Sequence, residues 1–443
     1  MEFFYRDIPR RSRATWYTFC MSTLLRYDAT NMFRLPITVR DRQQLDDAKK
    51  AVIDAWKNGD QGWLGCPDDS ACVSRIKKLV KEKSGFTTCL VLGIGGSDLG
   101  ARAVWHAMKD EARGMTLEFA GGNTDPDELA AILKRLNLKK TLINVISKSG
   151  NTVETMSAFF IVREALIAAV GETKARQQIV ATTDEESGIL HDIVMKEGYA
   201  TLPVPKNIGG RFSVLTDVGL FPLACAGINI AAMMRGAKEI RDEFVAETPT
   251  QNEAARYAAL HVYGDRALHM PIHIMMPYSE RLRLFAFWYR QIWAESLGKD
   301  GHGPTPIAAL GATDQHSQLQ LYQDGPKDKM ISFIEVEHFK AKISIPRSVK
   351  KIPQLAYLSG MSLETIIHAE RDATAHALAH EGRVNGTLHV GRVDETTLGA
   401  MFMFFEVATG IAGQLYGVNA YNQPGVEASK TVMRTILEGN VLS

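Results

Sequence analysis

The stretch "CLVLGIGGSDLG", Cys89 to Gly100, contains an apolar run, a glycine-rich turn and the start of a helical pattern. A buried strand followed by such a turn and a helix is the repeating unit of a parallel sheet with helices on both faces. The same rhythm recurs at 142–152, 178–187, 271–276, 331–336 and 387–390. We therefore predict an α/β fold with two such units, and we expect ligands beyond the carboxyl ends of the strands, where these loops fall.

The composition limits what the chain can bind. With 443 residues and 45% hydrophobic content, it is long enough for two or three domains with sizeable cores. Its 51 basic and 50 acidic residues give a formal net charge of +1, so no general field attracts nucleic acid or an anionic membrane. An anionic small molecule must therefore be held by a local site.

Other sequence features predict a cytoplasmic protein with no membrane partner. The five cysteines, Cys20 among them, form no CxxC pair, which indicates neither a zinc site nor a disulfide framework. The opening letters MEFFYRDIPRRSR place an acid and arginines where a signal peptide has an apolar core. The longest apolar run, 218–234, is interrupted by Pro222, Gly227 and Asn229, which favours a buried helix over a membrane span.

The glycine loop, residues 93–98, has two familiar alternatives, and neither fits. A dinucleotide fingerprint GxGxxG would use Gly93 and Gly95, but Asp98 stands at its third glycine. A P-loop needs GK followed by Ser or Thr, and the corresponding letters are GAR. What remains is a turn with exposed backbone amides, in which Ser97 begins a helix whose N-terminus favours an anion. A purely structural turn is equally compatible with this stretch.

The hydroxyl loop, "SKSGNT" at 147–152, has more hydrogen-bonding groups than a turn requires. Asn151 and Glu154 have the spacing of a capping box, which accounts for one polar group. Three hydroxyls beside one ammonium suit a dianionic phosphoester, so we favour a phosphate site over a plain turn. The groups concerned are Ser147, Lys148, Ser149 and Thr152.

The helical pattern in "FAFWYRQIWAESLGK" places a carboxylate among apolar neighbours. Trp288, Gln291 and Glu295 follow at i, i+3 and i+7 and so share one helix face. Apolar surroundings disfavour the ionised carboxylate, a property that suits a general base. A helix-end glutamate in water is the simpler interpretation of Glu295 taken alone.

Three further residues are candidates for acid, base or charge-stabilising roles. In "GATDQHSQLQLY" we expect His316 in the first turn of a helix begun by Thr313, where the helix dipole favours neutral imidazole. In "QPGVEASKTVMRTIL", Lys430 falls on the apolar stripe of a helix that starts near Pro424, so it either snorkels to water or meets an anionic substrate. Arg211, after two glycines in "IGGRFSV", could turn into a cleft or form an ordinary ion pair.

Six ordered motifs together resemble those of the glucose-6-phosphate isomerase family. They are GIGGSDLG, SKSGNTVET, GGRFSVLTDVGL, QIWAESLGKDG, GATDQHSQLQLY and NQPGVEASK. The similarity extends from about Gly62 to Lys430 and thus over most of the chain. Asn151 and Val153 stand where many members have threonine, and the first sixty or so residues match little.

The resemblance implies two sugar isomerase (SIS) domains in a homodimer, each a three-layer αβα unit with a mainly parallel, doubly wound sheet. The division expected from it is an N-terminal helical segment at 1–84 packing on the second domain, SIS domains at 85–238 and 239–410, and a C-terminal helical arm at 411–443. The active site then lies at the junction of domains and subunits. The resemblance implies neither a cofactor nor a metal.

The resemblance also implies roles in interconverting glucose 6-phosphate and fructose 6-phosphate through ring opening and a cis-enediolate. Glu295 is then the base that moves the proton between C1 and C2, and Arg211 steadies the enediolate. Ring opening falls to Lys430 and to His316, which the partner subunit supplies. Substrate contacts are implied for Gly96, Ser97, Ser147, Lys148, Ser149, Thr152, Gln291 and Gln423.

Two other functions compete with this interpretation. A sugar-phosphate-sensing protein could use the same domains without catalysis, but it would not need the base, and it usually brings a DNA-binding helical domain that the sequence does not reveal. An NAD-dependent oxidoreductase is disfavoured by Asp98 in the fingerprint. The coexistence of a phosphate loop with Glu295, His316, Lys430 and Arg211 favours the isomerase.

Overall fold

The computed structural model describes residues 24–33 and 39–439. Cys20 and the opening letters MEFFYRDIPRRSR therefore lie outside the described residues. The strands within these ranges are Leu25–Asp28 (β1), Thr88–Leu92 (β2), Thr116–Ala120 (β3), Thr141–Ile146 (β4), Ile179–Thr183 (β5), Ala200–Pro203 (β6), Ile272–Pro277 (β7), Thr305–Ala308 (β8), Lys329–Val336 (β9) and Asn385–Val390 (β10). The α-helices are Val39–Lys57 (α1), Ser70–Glu82 (α2), Leu99–Met108 (α3), Pro126–Arg135 (α4), Val153–Val170 (α5), Glu172–Gln177 (α6), Ile189–Glu197 (α7), Asp217–Cys225 (α8), Ile230–Ala246 (α9), Glu253–Leu268 (α10), Arg283–Leu297 (α11), Leu319–Asp324 (α12), Leu363–His380 (α13), Glu395–Tyr416 (α14) and Glu427–Leu437 (α15).

The strands form two five-stranded sheets, which confirms the predicted α/β class. The first sheet has the order β3-β2-β4-β5-β6, and all its neighbouring strands are parallel. The second has the order β1-β10-β9-β7-β8 and is parallel except for β1, which runs antiparallel to β10. Apolar clusters with helices cover both faces of each sheet, so two three-layer units are present.

Strand β2 shows why the central strands read as continuous apolar runs. Cys89 and Val91 join the large core cluster that both sheets share with helices α8 to α11 and α14. Leu90 and Leu92 point to the other face and join a separate cluster with Phe159 of α5. Because side chains alternate between two buried faces, the buried positions on both faces of this strand are apolar.

The N-terminal part of the chain is not helical throughout, as the helical segment predicted at 1–84 would require. Helix α1 agrees with that prediction, but Leu25–Asp28 forms β1 at the edge of the second sheet. The amide of Tyr27 donates to the carboxylate of Glu253, and its ring packs edge-on against Tyr257. A strand of four residues is too short to produce a clear periodic signal, which explains why the prediction was wrong there.

Each sheet contains one strand at which the direction of sheet growth reverses. In the first sheet β3 and β4 lie on opposite sides of β2, and in the second β8 and β9 flank β7 in the same way. Loops that leave the strands at such a switch point open a crevice beyond their carboxyl ends. Strand β2 leads into the glycine loop, β4 into the hydroxyl loop, and β7 leads through a short 3-10 turn into α11. The glycine loop, the hydroxyl loop and the helix that contains Glu295 therefore follow strands that border the two crevices.

Helix α14 is buried in the core and crosses α9 at close range. A Cβ atom on Gly399 would lie 1.9 Å from the carbonyl oxygen of Met233, and one on Gly236 would lie 1.9 Å from that of Thr396. Only glycine permits this approach on both helices. In the described part of the chain α14 is the one helix long and apolar enough to span a membrane, but 89% of its apolar window is buried inside the protein.

The apolar run 218–234 is two buried helices, α8 and α9, instead of the single helix predicted. Gly227, with φ +80°, lies in the turn that separates them, a conformation that glycine adopts without strain. The predicted domain limits at 238/239 and 410/411 fall inside α9 and α14. The division into domains stays a prediction.

Candidate active site

Glu295 lies near the C-terminal end of α11, beside a polar partner on the same face. Gln291 Nε2 donates to Glu295 Oε2 at 3.0 Å, as the i, i+4 spacing allows. Trp288 and Trp293 of the same helix are fully buried and fix its rotation in the core. The Glu295 side chain keeps 29% of its surface exposed, so its carboxylate can reach a ligand while its helix is held in place.

Arg211 brings a fixed positive charge to Glu295. It lies in the 3-10 turn Gly210–Phe212, and only 3% of the residue is exposed. Its Nη1 is 3.3 Å from Glu295 Oε1 and donates to Gln423 Oε1 at 3.1 Å. Nε and Nη2 donate to Ser296 Oγ (2.7 Å) and to the carbonyl oxygens of Ala420 (2.6 Å) and Asn422 (2.9 Å).

The electrostatics of this ion pair follow from its burial. Loss of hydration lowers the pKa of Arg211 from its ordinary value, and the Glu295 carboxylate opposes that shift. Since all three guanidinium nitrogens have partners, the direction of the guanidinium is fixed. The structure thus brings Arg211, Glu295, Gln291 and Gln423 together in one cluster, which we call the Arg211 cluster.

The glycine loop closes onto the Arg211 cluster from the first sheet. A Cβ atom on Gly96 would lie 2.2 Å from the carbonyl oxygen of Gly210 and 2.6 Å from the amide nitrogen of Arg211. At Gly95, where φ is +60°, a Cβ atom would lie 2.9 Å from Gln291 Nε2. Glycine is therefore required where this loop packs against the Arg211 turn and against Gln291 of α11.

The helix after the glycine loop starts later than predicted. Gly95–Ser97 form a 3-10 turn, and α3 begins at Leu99 with Asp98 as its N-cap residue. Asp98 is 4% exposed, and burial raises its pKa to about 6, although Arg102 Nη2 lies only 2.8 Å away. The prediction that Ser97 begins the helix is wrong, because Ser97 ends the 3-10 turn that precedes the N-cap residue.

The hydroxyl loop leaves the sheet beside the glycine loop. Strands β2 and β4 are parallel neighbours with Leu92 opposite Val145, so both loops emerge at the same edge. Ser147 is 3% exposed, and its Oγ accepts from the amide of Gly150 at 3.0 Å and lies 3.4 Å from Thr152 Oγ1. Two of the predicted phosphate-binding hydroxyls therefore lie within contact distance of each other.

The predicted capping box at Asn151 and Glu154 is wrong. Helix α5 begins at Val153 with Thr152 as N-cap residue, and no side chain caps its amides. The amide of Asn151 donates instead to Ser149 Oγ at 3.2 Å. The hydroxyls of Ser147 and Ser149 thus order their own loop and leave the first turn of α5 open.

Lys148 extends over the exposed side of the hydroxyl loop. Its Nζ donates to the carbonyl oxygens of Pro205 (3.2 Å) and Lys206 (2.8 Å). Burial lowers the pKa of Lys148, the carboxylate of Asp184 opposes that shift, and Lys206 adds to it. An ammonium has three donors, so one of them stays available for an anion.

His316 is exposed and lies outside the helix predicted for it. It ends the 3-10 turn Thr313–His316, whereas α12 begins only at Leu319. Asp314 explains the turn, because its carboxylate accepts from the amide of Leu310 at 2.7 Å and from the Ser317 hydroxyl at 2.6 Å. The imidazole of His316 forms no hydrogen bond with the described residues.

Lys430 is also exposed, on α15, which follows a 3-10 turn begun by Pro424. Its Nζ pairs with Glu427 at 2.8 Å. The apolar stripe predicted beside it is not buried in this chain, since α15 has no buried residue. The exposed apolar side chains there are Val426, Val432, Ile436 and Leu437. The surface that would cover this stripe is not supplied by the described residues.

Sequence reasoning missed Ser296, which is fully buried and accepts from Arg211 Nε at 2.7 Å. Adjacent residues on a helix point about 100° apart, so Ser296 holds the arginine while Glu295 faces the cleft. A small hydroxyl residue in an otherwise bulky helical segment was the available signal.

The arrangement suits proton transfer on an anionic ligand. A carboxylate that can accept a proton lies 3.3 Å from a fixed guanidinium that can stabilise a developing oxyanion. The glycine and hydroxyl loops offer amides, hydroxyls and an ammonium at the neighbouring crevice. Among the described residues, no group of three or more His, Cys, Asp or Glu side chains could hold a metal ion.

Comparison with known sequences gives a consistent result. The family model described as phosphoglucose isomerase matches residues 80–441. A glucose-6-phosphate isomerase of Rubrobacter xylanophilus is 37% identical over 417 residues, covering 92% of this chain and 96% of the relative. A probable glucose-6-phosphate isomerase of Methanococcus maripaludis is 37% identical over 418 residues, covering 93% and 92%.

Solved structures agree with the fold. A protein of Thermus thermophilus, described as hypothetical, superposes with a TM-score of 0.85 at 32% identity and covers 94% of this chain and 100% of its own. A glucose-6-phosphate isomerase of Chlamydia trachomatis superposes with a TM-score of 0.80 at 21% identity, covering 94% and 88%, and supports the fold alone.

Proposed function

Because this chain belongs to the phosphoglucose isomerase family, we propose that it interconverts glucose 6-phosphate and fructose 6-phosphate reversibly. The relatives named as such isomerases align along nearly the whole chain. The reaction opens the sugar ring and then moves a proton between C1 and C2 through a cis-enediolate. It needs a base, a group that stabilises the enediolate oxygen, an acid and base for ring opening, and a phosphate site.

Glu295 is the base. A hydrogen on the carbon next to a carbonyl can be removed by a positioned carboxylate, and such a group typically contributes a factor of about 10² to 10⁴ in rate. One base serves both carbons, since a cis-enediolate presents C1 and C2 on the same face. The hydrogen bond from Gln291 and the 3.3 Å approach of Arg211 support this role, because they aim the carboxylate into the cleft.

Arg211 stabilises the negative charge that develops on the enediolate oxygen. Its guanidinium is already oriented by Ser296, Gln423 and two carbonyl groups, so little reorganisation accompanies the reaction. A preorganised donor in such a position contributes roughly 3 kcal/mol to the transition state. Gln291 and Gln423 contact the sugar from the same cluster.

The phosphate binds at the hydroxyl loop, and the sugar lies beside Gly96 and Ser97. The phosphate ligands are Ser147, Lys148, Ser149 and Thr152. Several hydroxyls with one ammonium match a dianion that has several acceptor oxygens. The switch-point topology supports this arrangement, because the glycine loop and the hydroxyl loop leave neighbouring strands at the same edge.

Ring opening requires Lys430 together with the partner subunit's His316. The active protein is therefore a homodimer. Both residues are exposed in the single chain, which supports a site completed by a second copy. The exposed apolar side chains of α15 support the same assembly, because an apolar stripe that is exposed to solvent lacks a surface to pack against. The protein works in the cytoplasm and uses neither a metal nor a redox cofactor.

The observation on which this function depends most is the 3.3 Å ion pair between Arg211 Nη1 and Glu295 Oε1. We expect Glu295→Gln to lower kcat by about 10² to 10⁴ while the dissociation constant for fructose 6-phosphate changes little. Glu280→Gln, which breaks the surface pair with Arg283, is the matched control and should leave kcat unchanged. Near-normal turnover of Glu295→Gln contradicts the role of Glu295. Sugar-phosphate binding without isomerisation by the native protein favours the sensing function instead.

A further inference from the structure

Lys299 closes the end of the helix that presents Glu295. Its Nζ donates to the carbonyl oxygen of Glu295 at 3.0 Å and to that of Ser296 at 2.6 Å. Helix α11 ends at Leu297, so these carbonyls belong to its last turn, where no amide of the helix can reach them. A cation at this position also interacts favourably with the negative end of the helix dipole.

The turn after α11 fixes the backbone from which Lys299 reaches back. The amide of Lys299 donates to the carbonyl of His302 at 3.2 Å, and the amide of His302 donates to that of Lys299 at 2.8 Å. Asp300 and Gly301, between them, have φ values of +53° and +76°. This tight turn returns the lysine side chain over the end of the helix.

Lys299 and Arg211 hold the same two residues from different sides. Arg211 contacts the side chains, through Nε to Ser296 Oγ and Nη1 to Glu295 Oε1. Lys299 contacts the backbone carbonyls of Glu295 and Ser296. Removal of the ammonium leaves both carbonyls without this donor and frees the turn from which the Glu295 carboxylate projects.

We propose that Lys299 is a positioning residue for the isomerase reaction, and that it fixes the last turn of α11 so that Glu295 stays aligned with Arg211 and the substrate. This inference rests on the proposed function, because alignment of Glu295 matters only where it acts as the base. A displacement of the reacting groups by about 1 Å can lower a rate by about 100-fold.

The charges around Lys299 make its effect dependent on pH. Its ammonium faces the guanidinium of Arg211 and the carboxylates of Glu295 and Asp300. Burial and Arg211 lower the pKa of Lys299 to about 8, and the two carboxylates oppose that shift. Above this pH the ammonium loses its proton, and its charge-assisted bonds to the two carbonyls weaken. Alignment of Glu295 therefore deteriorates as the pH rises through about 8.

The test compares Lys299→Met, Lys299→Arg and a matched control, Lys49→Met. Lys49 is also a partly buried lysine whose Nζ donates to two carbonyl oxygens, those of Val245 and Glu247 at the end of α9, and burial lowers its pKa too. Measurements of kcat, KM, the pH dependence of kcat from about 6 to 10 and the melting temperature, all on the full chain, separate positioning from general stability.

We expect Lys299→Met to lower kcat about 10- to 100-fold with a change in KM below about threefold, and to remove the fall of kcat near pH 8. Lys299→Arg should restore kcat to within about threefold and move the fall to higher pH, because guanidinium stays charged. Lys49→Met should keep the native kcat and pH profile.

Two results overturn the proposal: native kcat in folded Lys299→Met, or a pH profile of Lys299→Arg identical to that of the native protein. The pH profile of Lys299→Arg tests the proposal even where Lys299→Met does not fold. A native protein that does not isomerise sugar phosphate refutes the proposed function and not the structural role of Lys299, so the two failures are distinguishable.

Discussion

Arg211 and Glu295 meet in a crowded cluster, whereas His316 and Lys430 lie exposed on the same chain. Every guanidinium nitrogen of Arg211 has a partner, and the Glu295 carboxylate is held by Gln291. Lys430 has only a surface pair with Glu427. The four residues assigned to catalysis thus divide into one pair that the chain organises by itself and one that it leaves open.

The contrast indicates that the two chemical steps have different structural requirements. In the proposed function, proton transfer between C1 and C2 uses groups that are already in place within one chain. In the proposed homodimer, ring opening uses groups whose surroundings are completed only when a second copy packs against the first, so assembly would control this step. The following experiments test this division.

Mixing two inactive variants tests whether His316 acts across the subunit boundary. Glu295→Gln and His316→Asn should each lose most activity as homodimers. After the two are unfolded together and refolded at equal amounts, about one quarter of native activity should return, because half of the dimers are mixed and each has one complete site. The isomerase rate measured before and after mixing is the readout.

The control for this experiment mixes Glu295→Gln with Arg211→Gln. These residues belong to the same cluster of one chain, so no mixed dimer has a complete site and no activity should return. Recovery in the control, or none in the mixture with His316→Asn, contradicts the division into two pairs.

Replacement of Arg211 tests the pair of residues that one chain organises by itself. Arg211→Gln should lower kcat about 10²- to 10³-fold, because the enediolate loses a preorganised cation. It should also lower the free energy of unfolding by roughly 1 to 3 kcal/mol, since buried carbonyls lose their donor. Kinetics and urea denaturation measure the two effects.

Arg241→Gln is the matched control. Arg241 is likewise 3% exposed and donates to the carbonyl of Leu64 at 3.0 Å, with Asp68 at 2.8 Å. It should lose stability while retaining kcat. Equal loss of kcat in both variants would mean that Arg211 acts through folding alone.

Replacement of Lys430 probes the open half. Lys430→Met should lower kcat about tenfold or more, because ring opening loses its cation. The free energy of unfolding should change by less than about 0.5 kcal/mol, since the pair with Glu427 is exposed. Arg434→Met, which breaks the neighbouring pair with Glu438, is the control and should leave both quantities unchanged. An unchanged kcat in Lys430→Met removes it from the reaction.

Acid should weaken the buried support behind α11. His261 donates from Nδ1 to the carbonyl of Tyr257 and contacts Ser332 Oγ through Nε2, and burial lowers its pKa to about 4. Below about pH 6.5 His261 is protonated in the unfolded chain but stays neutral in the folded chain. The free energy of unfolding therefore falls as the pH drops from about 6.5 to about 4. The loss amounts to about 3 kcal/mol.

Urea denaturation between about pH 7 and 4 measures this slope. His261→Gln should reduce it, because glutamine does not titrate. His380→Gln, at the exposed end of α13, should leave it unchanged. An unaltered slope in His261→Gln would assign the acid sensitivity to other groups.

The strands that the sequence predicted are the central ones, and those it missed lie at the edges. Runs such as LINVI and ISFIEV became β4 and β9, which have covered faces and neighbours on both sides. The four missed strands, β1, β3, β6 and β8, border the two sheets. Edge strands are short and mixed in character: β3 contains Glu118, paired with Arg135, and β8 contains Pro306.

The candidate site was predictable as a set of residues but not as a set of contacts. Gln291 and Glu295 are four residues apart, so helical spacing predicted a shared face, and the structure adds the hydrogen bond between them. Arg211 and Ser296 are 85 residues apart in the sequence, and local sequence patterns do not predict contacts over such a separation. The apolar periodicity of α15 predicts a covered face, which is exposed in the single chain, and periodicity does not say what covers it.

The close approach of α9 and α14 at two glycines limits the relative movement of these helices. Gly236 and Gly399 bring the two backbones so close that sliding or rotation at this crossing would drive main-chain atoms together. Relative movement of these two helices is therefore opposed at the crossing. Entry and release of the proposed sugar phosphate would then depend on movements at places other than this crossing.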